Sequence, residues 1–218
     1  MITKIIKSFV RVLNKELNSY VKSQKIPDVK SLNYTHSLIK LYDRTKNIPG
    51  HIVEIGAGSG RNTLIFSFLI KKNNKQDIVR YFGYDFFENH ELFEKQNADY
   101  NIRQIKDLLR SSDLDDIVHL VKGDINKEIY KFEKLNLGFR NNKPLISLIY
   151  IDCNSYETTL NSLNYLKSFL SKGAHICTDQ KKIAEEVNAL KKFADENNLE
   201  LKLGSDIDFR STFCVWDK

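Results

Sequence analysis

No apolar run in the sequence approaches the roughly 20 residues needed to cross a bilayer, and the N-terminal stretch Met1–Leu13 is broken by Lys4, Lys7 and Arg11. Neither a spanning helix nor a signal peptide is expected. Cysteine is scarce: Cys153, Cys177 and Cys214 are odd in number, form no C-x-x-C pair and lie in apolar stretches. That excludes a disulfide framework and fits a reducing cytoplasm. Internal repeats are absent, as is low complexity beyond a general richness in Lys and Asn. What remains is an ordinary globular chain of 218 residues, 41% hydrophobic and 28% charged, long enough to bury about 70% of its unfolded surface in one core.

The net charge of +6 is unevenly placed. Residues 1–50 hold 10 Lys/Arg against 3 Asp/Glu, while the remaining residues hold 24 against 25. A basic surplus confined to one segment is not the footprint of a nucleic-acid-binding surface. Within that segment Ile2, Ile5, Ile6, Phe9, Leu13, Leu17 and Val21 recur near helical spacing, so Met1 to about Lys22 reads as a basic amphipathic helix. Its uses include a dimer contact, an anionic-lipid contact, a lid over an anionic acceptor, or packing on its own domain. A second helix is expected over Leu32–Lys46, ending at Ile48-Pro49-Gly50. Residues 1–48 are therefore assigned as a helical extension and 49–218 as the main domain.

After Gly50, β-rich and helical runs alternate, the pattern of a parallel α/β sheet. Strands are expected at His51–Ile55, Arg80–Asp85, Val118–Lys122, Leu145–Asp152 and Ala174–Asp179. Helices are expected near Asn62–Lys72, Glu91–Arg110, Lys127–Leu135, Glu157–Leu170 and Lys181–Asn197. Leu199–Leu203 and Ser211–Trp216 read as an antiparallel hairpin closing the sheet.

The most informative segment joins the first strand to the first domain helix: Glu54-Ile55-Gly56-Ala57-Gly58-Ser59-Gly60-Arg61-Asn62-Thr63. Closely spaced glycines between a buried strand and a helix aim backbone N–H groups at a ligand above the strand end. The spacing is G-x-G-x-G, with Arg61 where a dinucleotide fingerprint needs glycine. Glu54 would repel a pyrophosphate and suits a cationic group such as a methionine ammonium. At the second strand tip Asp85, with Phe86 beside it, is placed for ribose hydroxyls, and Gly123-Asp124-Ile125 at the third for an adenine. Arg61 and Thr63 either hold the cofactor's carboxylate or are plain helix-start positions.

Asp152 and Asp179 end the fourth and fifth strands and should be neighbours on one sheet edge. With the Gln180 amide oxygen they form an all-oxygen set suited to Mg²⁺ or another hard divalent ion. Alternatively, Asp179 caps the following helix. Tyr156 and Glu157 either border an acceptor pocket or pack the helix start. As general base, Asp152 or one of His36, His90, His119 and His175 qualifies; His119 and His175 lie in strands and read as structural, which puts His36 first among the histidines.

The chain from Ile48 onward resembles the class I S-adenosylmethionine (SAM)-dependent methyltransferases, and within them the macrocin O-methyltransferase family of sugar O-methyltransferases. The resemblance rests on Ile48-Pro-Gly-His-Ile-Val-Glu-Ile-Gly, Gly83-Tyr-Asp-Phe-Phe-Glu, Asp152-Cys-Asn-Ser-Tyr-Glu-Thr-Thr and Leu170-Ser-Lys-Gly-Ala-His-Ile-Cys-Thr-Asp. It implies a Rossmann-like fold with a mostly parallel seven-stranded sheet, a C-terminal antiparallel hairpin and helices on both faces. It also implies SAM as cofactor, bound by Glu54, Gly56, Ala57, Gly58, Gly60, Arg61, Thr63, Asp85, Phe86, Gly123, Asp124, Ile125 and Asp152. Members carry a Mg²⁺ site of an Asp and an Asp-Asp pair, matched here by Asp152, Asp179 and Gln180; the amide at the last position is similar to the Asn ligand of catechol O-methyltransferases. The implied acceptor is a small sugar-type molecule rather than nucleic acid, and a dimer through the N-terminal helices is expected. Rival readings are an RNA or catechol-like acceptor, or a SAM-fold subunit without turnover; no N/D-P-P-Y signature favours amino methylation.

Overall fold

The structure is a computed structural model that describes residues 29–87, 102–134, 143–179, 185–203 and 211–218. The chain divides into two compact units, Met1–Asn33 and Tyr34–Lys218. The expected helix at Met1–Lys22 and its dimer contact lie outside the described residues.

Among the described residues the elements follow in order: α1 (Val29–Thr45), β1 (His51–Ile55), α2 (Arg61–Lys72), β2 (Tyr81–Asp85), α3 (Ile102–Ser111), β3 (Val118–Lys122), α4 (Ile125–Glu128, continued as a 3-10 turn over Ile129–Lys134), β4 (Ile146–Ile151), α5 (Tyr156–Leu166, continued as a 3-10 turn over Lys167–Phe169), β5 (Leu170–Thr178), α6 (Glu185–Glu196), β6 (Lys202–Leu203) and β7 (Thr212–Val215). The seven strands form one sheet in the order β3-β2-β1-β4-β5-β7-β6. The first five are parallel, while β7 runs antiparallel to both β5 and β6. This is the expected sheet with its antiparallel C-terminal pair.

Both faces are covered, which is why β1 and β4 are buried at every residue and read as continuous apolar runs rather than alternating ones. Successive side chains go to opposite faces: Ile52, Tyr81, Leu148 and Tyr150 pack with apolar residues of α1, α2 and α3, and Val53, Ile55, Phe82, Tyr84, Ile149 and Ile151 with those of α4, α5 and α6. Leu38, Leu41 and Tyr42 are buried in the first cluster, so this part of α1 belongs to the core.

Several expected bounds shift: the helix expected over Glu157–Leu170 ends at Leu166, and the strand expected over Leu199–Leu203 is Lys202–Leu203. β5 starts at Leu170 instead of Ala174: Ser171-Lys172-Gly173 reads as a turn, but the strand bulges there, with Gly173 at φ 87° and pairing that jumps from Ile146↔Leu170 to Leu148↔His175. The described part of the helix expected over Glu91–Arg110 is Ile102–Ser111, its earlier residues being outside the description.

The chain runs from β1 outward to β3 and then returns to β4 on the other side of β1. The connections after β1 and β4 therefore run to opposite sides, which makes the carboxyl ends of these two strands the switch point whose crevice binds ligands in open α/β sheets.

Candidate active site

The loop Gly56–Gly60 lies on one side of this crevice. Gly56, Gly58 and Gly60 all take positive φ, and an added Cβ on Gly58 would meet nothing within 4 Å. The loop top thus faces open space. Its base is pinned by Gly56 and Ala57 N–H groups donating to the Tyr84 carbonyl at 2.9 and 3.1 Å. Gly60 provides no side-chain cap to α2, whose first-turn amides and partial positive charge favour an anionic ligand group.

Asp85, at the tip of β2, accepts from Gly58 N–H at 2.9 Å through one oxygen and from Phe87 N–H at 2.8 Å through the other. Each carboxylate oxygen keeps a further lone pair for a ligand hydroxyl. Phe86 beside it is half-buried, Gly123 donates to the Asp85 carbonyl at 3.0 Å, and Ile125 is buried. Asp124 caps α4, accepting from Asn126 N–H at 3.0 Å. Asp124→Ala is expected to cost about 1 kcal/mol through the lost cap, read by urea denaturation. Weakened cofactor binding in the same variant would show that the carboxylate also touches the ligand.

Glu54 stands in the central strand and is 0% exposed. A carboxylate there needs partners: Asn62 Nδ2 donates to one oxygen at 2.6 Å, and the Tyr81 hydroxyl donates to the other. Burial raises its carboxyl well above the ordinary range, Asn62 lowers it, and the charges of Asp152, Asp85 and Asp179 raise it further. Each oxygen keeps a further lone pair, but the side chain is sealed from solvent, so contact with a cofactor ammonium would have to open its cover. Thr63 is also fully buried, its hydroxyl donating to Tyr81 at 3.1 Å, so it supports the loop from beneath. Arg61 is exposed; its guanidinium lies 4.4 Å from the centre of the Tyr34 ring and donates to Thr35 Oγ1 at 3.4 Å, tying α2 to α1.

Asp152 and Asp179 are indeed neighbours at adjacent strand ends, their N–H groups donating to Ile55 and Ile151 carbonyls. Burial pushes the Asp152 carboxyl up to about 7, with Asp179, Glu186 and Asp85 adding repulsion. Asp179 Oδ1 accepts from the Tyr150 hydroxyl at 2.7 Å. Glu186 on α6, 0% exposed, accepts from Asn154 N–H at 2.5 Å, and Glu185 accepts from Tyr156 N–H at 3.2 Å. The start of α6 thereby grips the loop that carries Asp152. Tyr156 is 36% exposed on the rim. Burial pushes the Cys153 thiol up to about 11, so the cysteine next to Asp152 is no nucleophile.

Of the three expected metal donors, Gln180 lies outside the described residues, and no trio of His, Cys, Asp or Glu placed for an ion occurs among the described ones. The two that are described fit a cation in one respect: their mutual repulsion at Asp152 is what a positive charge would relieve.

The described histidines do not converge on this crevice. His36 is exposed on α1, two residues and about 200° round the helix from Tyr34, which does reach the buried network. His119 stacks on Phe82 and His175 on Phe213, both structural placements, and His90 is outside the description. The residues missed by sequence reading are Tyr34, Asn62, Tyr81, Tyr150 and Glu186, each recruited by a partner distant in sequence.

A sequence model of a methyltransferase domain matches residues 53–180, more than half of the chain, from within β1 to just past Asp179. The chain belongs to this methyltransferase family. Its fold is shared with CalS11, described as a TDP-rhamnose 3'-O-methyltransferase of calicheamicin biosynthesis, at TM-score 0.70 and 20% identity over 96% of this chain and 94% of that one. The O-methyltransferase NovP matches at TM-score 0.65 and 15% identity, covering 86% of this methyltransferase and 79% of NovP. A putative rRNA methylase from Clostridium thermocellum shares the fold less closely, at TM-score 0.53 and 17% identity over 89% and 100%. No match was found among curated protein sequences. SAM is the cofactor this family membership supports, and the Rossmann-like methyltransferase fold is as expected. Among the described residues, no helix of this methyltransferase is long and apolar enough to cross a membrane.

Proposed function

We propose that this methyltransferase transfers the methyl group of SAM to a hydroxyl of a sugar or sugar-bearing small molecule, a nucleotide-activated sugar among them. The observation that carries the reading is the Asp152 carboxyl, held near neutrality at the switch point beside the open glycine loop. The likeness to CalS11 supports a sugar acceptor, and that to NovP supports methylation on oxygen. The basic surplus of residues 1–50 favours an anionic acceptor.

SAM, when bound, supplies an electrophilic methyl group whose leaving group is a neutral thioether. The protein's part is to bind, align and deprotonate. Asp85 and the Gly56–Gly60 amides hold the adenosyl and methionine portions. The acceptor oxygen forms a bond to the methyl carbon as the carbon–sulfur bond breaks, the bonding pair stays on sulfur, and the hydroxyl proton passes to Asp152. Tyr156 borders the acceptor. Asp152, Asp179 and Gln180 would hold a divalent ion, which lowers the pKa of a bound hydroxyl. Activity lost in EDTA with SAM still bound would establish that ion; full activity in EDTA would remove it.

The deciding experiment is titration calorimetry with SAM and NADH, followed by a panel of nucleotide sugars, glycosides, catechols and RNA assayed by S-adenosylhomocysteine release. SAM binding and turnover of a sugar are expected. Binding of NADH without SAM sinks the proposal, and product with RNA alone overturns the acceptor.

A further inference from the structure

One buried hydrogen-bonded chain joins the two ends of the crevice, and it passes through a residue of α1. The Tyr34 hydroxyl donates to Asn62 Oδ1 at 2.9 Å, and Asn62 Nδ2 donates to Glu54 beneath the glycine loop. On its other side the same hydroxyl lies 3.2 Å from the Tyr150 hydroxyl, which donates to Asp179 Oδ1 at 2.7 Å. Tyr150 is 1% exposed and Asn62 6%. A phenol ionises only at about pH 10, so both hydroxyls keep their protons.

Counting protons fixes the directions. Asn62 uses its amide nitrogen on Glu54, so only its oxygen faces Tyr34, and the single Tyr34 proton is committed to that oxygen. Tyr34 must therefore accept at the tyrosine pair. The single Tyr150 proton then has two acceptors, Tyr34 and Asp179, and the pull of one weakens the hold of the other. Removing the Tyr34 hydroxyl takes a partner from both Asn62 and Tyr150, whereas removing the Tyr150 hydroxyl takes the donor from Asp179 and reaches Asn62 through the position of Tyr34.

We infer that Tyr34 is a positioning residue that holds the cofactor-side Asn62–Glu54 anchor and the acceptor-side Tyr150–Asp179 pair as one unit. The inference rests on the proposed SAM-binding reading of the site. It makes α1 part of the site, since Tyr34 lies under the Arg61 guanidinium at the start of α2, and it predicts that a change on the acceptor side is felt by the cofactor.

The test is SAM affinity by titration calorimetry for wild type, Tyr34→Phe, Tyr150→Phe and the double variant, with Tyr42→Phe as control. Tyr42 is a buried tyrosine on the same helix outside this chain of hydroxyls. Tyr34→Phe and Tyr150→Phe are each expected to weaken SAM binding about 5- to 10-fold, the double variant no more than the weaker-binding single, and Tyr42→Phe not at all. Wild-type affinity in Tyr150→Phe, or effects that multiply in the double variant, would overturn the coupling while leaving the SAM reading intact. A wild-type protein that binds no SAM would overturn both.

Discussion

Gly56→Ala is expected to lose more than about 4 kcal/mol of folding stability and to bind no detectable SAM. An ideal Cβ on Gly56 would stand 2.2 Å from the Asp152 carbonyl oxygen, 2.6 Å from its carbon and 2.9 Å from Cys153 Cα. All three are backbone atoms, and the backbone cannot turn aside as a side-chain tip can. Asp152 N–H is bonded to the Ile55 carbonyl, and β4 is paired on both edges, with β1 and β5. Relief of the clash must part β1 from β4 at the switch point, which opens the core on both faces. The φ of 93° adds strain that an L-residue rarely tolerates.

Gly58→Ala separates folding from binding at the same loop. Its Cβ would meet nothing, and its φ of 48° lies in the left-handed region where a non-glycine costs about 1–2 kcal/mol. The variant should fold, while its methyl group intrudes on the face offered to the cofactor. Thermal melts and calorimetry on both variants decide the matter: a Gly56→Ala protein melting with wild type would mean that the β1–β4 contact is far looser than the structure has it.

The strands and the glycine loop were legible because their signals are local. β1 and β3 end where they were expected to end, since their apolar runs stop at glycine or at charge within one residue, and the loop's shape follows from glycine spacing alone. Asp152 and Asp179 could be placed together because parallel topology sends all strand ends to one edge. The chain through Tyr34 could not be anticipated. Its links span 28 and 116 residues, and α1 reads by pattern as an extension, because nothing in Tyr34 itself marks it as facing Asn62. Glu186 was hidden for the same reason: on a helix rich in charge it looks like a solvated residue, and only tertiary packing turns it onto the Asn154 amide, 32 residues away. Glu54 stands out in the sequence by its place before the glycines, but its complete burial depends on Asn62 and Tyr81 arriving from α2 and β2.

Asp152→Asn is expected to be nearly inactive and, above pH 7, more stable than the wild type. Asparagine keeps the shape of the protonated acid but cannot take the acceptor's proton, so methyl transfer should fall about 10²- to 10⁴-fold with SAM binding largely retained. The stability change has the opposite sign. In the unfolded chain Asp152 ionises near its ordinary pKa of 3.8; in the folded protein it ionises at about 7, because burial and then Asp179, Glu186 and Asp85 oppose its charge. Between those values the folded form holds a proton that the unfolded form has lost, so its contribution to stability falls as pH rises and is fully lost above about pH 7. Three units correspond to about 4 kcal/mol as an upper figure, and relaxation of the partly open site brings the expected difference nearer 3 kcal/mol. Urea denaturation in EDTA should therefore find wild type and Asp152→Asn equal near pH 4 and the variant ahead by about that amount at pH 8. A wild type that is the more stable protein at pH 8 would mean that the carboxylate has a cationic partner in the ligand-free fold, and Asp152 would then be an anchor rather than a base. In the loaded enzyme the cationic sulfonium, and a divalent ion where one is bound, should draw the Asp152 ionisation below its ligand-free value of about 7, so the wild-type rate should climb at a pH below about 7. The charge proposed to take the acceptor's proton is one that the ligand-free fold tolerates poorly.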